Sequence, residues 1–133
     1  MGEILHWDMT AEGERSTEFR RVLWTGEHTQ LVIMTVPAGG EVGEETHEEN
    51  DQLLSVVGGS GEVVIEGEER LVAAGDVVAV PAGTRHNVVN VGPAPLVLST
   101  VYGPPEHAAG AVHRTKEEGE AAEESGQDEP PQG

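Results

Sequence analysis

The stretch GDVVAVPAGTRHNVVN, residues 75–90, decides the reading of this chain. Gly75 and Asp76 make a tight turn of the kind that joins antiparallel strands. Val77 to Val80 is a short apolar run rich in a β-branched residue. Pro81 and Gly83 then bend the chain between strands. His86 enters a new strand, where Val88 and Asn90 share its face by period-two alternation. A turn, a short strand, a bend and another strand in so few residues mark an all-β domain.

The same pattern extends in both directions. Strands are predicted at 21–25, 30–36, 43–47, 52–57, 61–66, 69–73, 77–80, 86–91 and 95–102. The chain holds 18 Gly and 8 Pro, and most of them fall between these runs, as turn chemistry requires. Regularly spaced short strands suit a sandwich, a jelly roll or a small barrel. The runs VVAV and PLVLSTV are apolar on both faces, so they predict strands covered on both sides, in a sandwich or in a barrel whose outer face meets a partner.

Length and charge set further bounds. The 133 residues and 14.0 kDa fit one domain with one core. The expected organisation is an N-terminal arm (1–20, with one short strand or turn), a barrel (21–104), an extension (105–124) and a disordered acidic tail (125–133). Within the extension, residues 115–124 predict a short surface helix capped by Thr115. Net charge is −18, and from Lys116 onward seven acids face one base, so the rest of the chain still carries −12. Such a surface repels nucleic acid and anionic membranes, and neither is expected as a partner. With no cysteine, disulfides, thiolate metal sites and Cys nucleophiles are excluded. No apolar run reaches membrane-spanning length. The opening MGEILHWD has neither a basic start nor an apolar stretch, so a cytoplasmic location is expected, or a secreted one if a leader has been removed.

Gly75, Pro81, Gly83, His86 and Asn90 together match the second motif of the cupins, which the chain resembles. The first cupin motif corresponds to GGEVGEETHEENDQLLSVVGGSG, residues 39–61. With Gly59 as its closing glycine, the resemblance implies His47 and Gln52 as metal ligands beside His86. Glu45 stands two before His47, so the pattern reads Glu-x-His…Gln where many cupins have His-x-His…Glu. The implied fold is all-β, a single cupin jelly roll (double-stranded β-helix) with a short C-terminal helix or tail. The implied cofactor is one divalent ion. Two imidazoles and a neutral amide make a weak site for Fe or Mn, and Zn or Ni are other options. Copper, highest in the divalent affinity order, is least harmed and is favoured. Glu45 shares a strand face with His47 and is the candidate catalytic group: it binds the metal, acts as a base, or faces water. The bland alternatives are a solvated loop histidine at 47 and a strand-opening polar residue at Gln52.

The fold alone does not decide the activity. The chain is similar to small bacterial cupins, some of which are mononuclear copper enzymes that cleave cellulose oxidatively. That likeness implies a copper-dependent oxidoreductase acting on a polysaccharide. A second class is a sugar-phosphate isomerase or another redox-neutral enzyme, with Arg70 and Arg85 as phosphate-binding candidates. A third is a binding module without turnover. A homodimer is expected, and the substrate is a small molecule or a polysaccharide. The segment Pro104–His107 reads as a structural closure of the last strand. His6, His28 and His113 read as surface residues.

Overall fold

A computed structural model describes residues 4–131. The first residues of the N-terminal arm (1–3) and the last of the tail (132–133) lie outside the described residues. Two antiparallel sheets form the all-β jelly roll that the sequence predicts. In chain order the elements are α1 (Met9–Arg15), β1 (Arg20–Thr25), β2 (Gln30–Val36), β3 (Glu45–Thr46), β4 (Asp51–Gly58), β5 (Ser60–Ile65), β6 (Glu68–Ala73), β7 (Val77–Val80), β8 (Arg85–Val89), β9 (Leu96–Gly103), β10 (Val112–His113) and α2 (Lys116–Glu124). The six-stranded sheet runs β10-β1-β2-β9-β4-β7, and the four-stranded sheet runs β3-β8-β5-β6. Every strand predicted from the sequence is present.

The core lies between the sheets and follows the two-residue period. Leu54 and Val56 of β4, Met34 and Val36 of β2 and Leu98 of β9 meet Val63 of β5, Val72 of β6 and Val88 of β8. The turn from β4 to β5 needs its glycine. Gly59 has φ +82, and a Cβ there would sit 2.5 Å from the Pro95 carbonyl oxygen. Asn90 is fully buried in a turn role: its amide donates to Val36 O and Ala94 O, and its Oδ1 accepts from Gly92 N.

Three features depart from the sequence reading. The arm contains a helix rather than a strand: Asp8 caps α1 by accepting from Ala11 N, and Glu12 pairs with both Arg15 and Arg21. Helix α1 also supplies part of the cover for the outer face of β4 and β9, since Gly13 lies against Val57 and Val97. Part of the two-faced apolar character is therefore satisfied within the chain. The C-terminal helix forms as expected, with the Thr115 hydroxyl accepting from Glu118 N. Residues 125–131, expected to be disordered, are instead anchored through Asp128. Its carboxylate takes a 2.6 Å hydrogen bond from His107 Nδ1 and a 2.9 Å bond from Ala108 N. One buried carboxylate holds a segment whose composition reads as solvated.

Candidate metal centre

The sheets bring four sequence-predicted residues to one end of the barrel. Glu45 on β3 is in register with His86 on β8. Gln52 on β4 is in register with Tyr102 on β9 and with Val80 on β7. His47 follows β3 directly, and its ring lies 5.3 Å from that of His86 and 5.4 Å from that of Tyr102, centroid to centroid. His47, Gln52 and His86 are all nearly excluded from solvent.

Hydrogen bonds orient each donor. His86 Nδ1 donates to Thr84 O at 2.9 Å, which leaves Nε2 with its lone pair. His47 Nδ1 donates to Glu106 Oε2 at 2.9 Å, which does the same for its Nε2. Gln52 Nε2 donates to Thr100 Oγ1 at 2.9 Å and thereby presents Oε1. His47 Nε2 and Gln52 Oε1 are buried with no hydrogen-bond partner. An orphaned buried acceptor costs about 1–3 kcal/mol, so each of these two calls for a partner that accepts a lone pair. A divalent ion meets that need, and imidazole rings fixed through their second nitrogen are the usual metal-binding arrangement. Among the described residues no three His, Asp or Glu side chains form a ligand group by themselves.

Glu45 Oε2 lies 3.4 Å from His47 Nε2, near enough to share an ion with it or to exchange a proton beside it. Burial lowers the His47 pKa, but the hydrogen bond to Glu106 and the charges of Glu45 and Glu106 outweigh it. His47 therefore sits above the ordinary histidine value. Burial, reinforced by the charge of Glu45, holds the Tyr102 hydroxyl above the usual phenol range. Tyr102 is thus a neutral wall, not an anionic ligand.

Beside the centre opens a cavity of about 550 Å³, lined by His47, Arg20, Lys116, Gly119 and seven glutamates, Glu45 and Glu106 among them. Glu106, Arg20 and Tyr102 join the site without having been assigned to it from the sequence. Glu106 belongs to the segment read as a structural closure. That segment does close the strand end, because Asn50 Nδ2 donates to Pro104 O, but it also delivers a carboxylate to His47. His113, read as a surface residue, is buried against Arg20. Arg70 and Arg85 are exposed and do not line this cavity. Among the described residues Phe19 is the one Phe, Tyr or Trp that lines it.

Known proteins resemble this chain throughout. A family model described as a cupin domain matches residues 32–102. YrkC of Bacillus subtilis is 40% identical over 118 residues, covering 84% of this chain and 63% of YrkC, so the chain spans less than two thirds of that relative's length. The crystal structure of BH2720 from Bacillus halodurans superposes with a TM-score of 0.87 at 37% identity, covering 90% of this chain and 96% of that one. The pectin degradation protein KdgF of Dickeya dadantii is 27% identical over 94 residues, covering 71% of this chain and 82% of KdgF.

Proposed function

Because the chain belongs to the cupin domain family, we propose that it is a metal-dependent enzyme that binds one divalent ion through His47, Gln52 and His86 and acts on a small polar molecule. One observation carries this reading: His47 Nε2 and Gln52 Oε1 are buried without partners beside a His86 ring whose Nδ1 is already committed. When bound, such an ion supplies Lewis acidity to a substrate oxygen. The protein's own groups do the rest. Glu45 takes or returns a proton beside the ion, Glu106 fixes the His47 tautomer, and Tyr102 and Thr100 wall the site against water.

The half-open cavity of about 550 Å³, with Phe19 as its one Phe, Tyr or Trp among the described residues, favours a small ligand over a flat polysaccharide surface. The likeness to a protein named for pectin degradation supports a carbohydrate-derived substrate. The exposed positions of Arg70 and Arg85 weigh against a sugar phosphate. A second reading is a copper-dependent oxidoreductase acting on a polysaccharide. The donor set favours copper for it, because two imidazoles and a neutral amide suit that ion better than iron or manganese.

Elemental analysis of untagged protein, with anomalous scattering from a crystal, tests the centre. Near one ion per chain, lost in His47→Ala and His86→Ala, supports it, and a metal-free protein that takes up no ion refutes it. A stoichiometric zinc content with no Cu(II) EPR signal after copper loading would remove the oxidoreductase reading. We also propose that the chain pairs with a second copy. Leu71 on edge strand β6 and Val77 on edge strand β7 are 73% and 62% exposed and line one depression of mixed polarity, which a partner would cover.

A further inference from the structure

The cavity holds one buried cation, Arg20, that forms no ion pair, although seven glutamates, Glu45 and Glu106 among them, line the same space. Arg20 is 6% exposed, and among the described residues no carboxylate pairs with it. Its one hydrogen-bond contact is a long one, 3.4 Å from Nη1 to His113 Nδ1. Its Nε is buried with no partner. The guanidinium carbon lies 5.1 Å from the centre of the Phe19 ring, which steadies the charge but accepts no hydrogen bond. A buried guanidinium left in this state is costly, and proteins normally pair it.

The surroundings keep this cation in place and accessible. Helix α2 approaches at Gly119, where a Cβ would fall 2.9 Å from Arg20 Nη1. The one buried residue of α2 is therefore the one with no side chain, and that leaves room for the guanidinium. Arg20 and Gly119 line the same cavity as His47, Glu45 and Glu106.

From these positions we infer that Arg20 is the carboxylate-binding subsite of the cavity, and that the ligand is a small organic acid. A planar guanidinium takes a carboxylate through two parallel hydrogen bonds, a geometry that Lys116 at the rim cannot offer. Seven glutamates line the same cavity and oppose an approaching anion, although among the described residues none of them pairs with Arg20. Contact with a desolvated guanidinium outweighs that at short range. The inference rests on the proposed metal centre only for orientation: a carboxylate on Arg20 directs the remainder of the molecule toward His47 and Glu45.

Titration of the purified full-length protein with lactate and with lactamide, followed by NMR, tests this. The two probes share a shape and differ in charge. Lactate is expected to bind about tenfold or more tightly than lactamide. Arg20→Gln should abolish the preference. Gly119→Ala, which keeps the charge but crowds Nη1, should weaken lactate binding and leave a folded protein even if the Arg20 variant does not fold. His86→Ala should retain the preference. If His86→Ala loses it, or folded Arg20→Gln keeps it, the carboxylate sits elsewhere and the inference fails. Equal binding of the two probes, no binding of either, or wild-type lactate affinity in Gly119→Ala also overturns it. A wild type that takes up no ion and still prefers lactate through Arg20 would refute the metal centre and leave this subsite standing.

Discussion

His47 carries two opposing demands: a metal needs its Nε2 lone pair, and the acids around it favour its protonated form. Because its pKa is raised above 6.5, protonated His47 stabilises the fold below that value, and this contribution fades as pH rises through the elevated folded pKa. A metal must displace that proton. Metal affinity is therefore expected to fall on acidification from a pH above the ordinary histidine midpoint. Glu106→Gln removes one of the charges that raise it and should move the whole profile to lower pH, measured as metal occupancy against pH by competition with a chelator. An unmoved profile would mean that Glu106 does not govern His47. Gln52→Glu tests the third donor. A carboxylate there compensates the ion's charge and should tighten Mn(II) or Fe(II) binding by about tenfold.

Two connecting segments bear on stability out of proportion to their length. The β4–β5 turn depends on Gly59, since any side chain there meets both a left-handed φ and the Pro95 carbonyl. Gly59→Ala should cost about 2 kcal/mol or more, read from thermal or urea unfolding. The tail depends on Asp128. Burial raises its pKa, but the hydrogen bond and charge of His107 and the Ala108 N–H lower it further, so the net shift is downward. Its stabilising effect is thus fully present above the ordinary carboxylate value and is lost only as pH falls through the lower folded one. Asp128→Ala should cost about 1–3 kcal/mol and expose residues 125–131 to proteolysis, with the barrel otherwise intact. Unchanged protease resistance would show that the anchor lies elsewhere.

At the scale of the whole molecule, Leu71 on β6 and Val77 on β7 stay exposed in one depression beside Glu68, Arg70 and Asp76. Helix α1 lies over the outer face of β4 and β9, but among the described residues no helix covers β6 and β7. A dimer is the expected state by light scattering, and Leu71→Glu with Val77→Lys should yield monomers that keep their metal. A wild-type monomer would instead leave that depression as ordinary surface.

What the sequence by itself determined was what depends on short-range order. The two-residue period located the strands from 30–36 to 95–102, because alternation is a property of neighbours in the chain. The likeness of residues 75–90 and 39–61 to the two cupin motifs singled out His86, His47 and Gln52 as the proposed ligands. Helix α1 escaped because its capping residue and small apolar content are weak local signals, and packing on Val57 and Val97 makes up the difference. The tertiary structure alone decided the company each residue keeps. Glu106 reaches His47 only because the chain turns back after β9. Arg20 and Gly119, distant in sequence, meet only when α2 docks beside β1. Asp128 becomes an anchor only when His107 is buried beneath it. Desolvation and charge pairing are set by distances through space, and no local pattern encodes them.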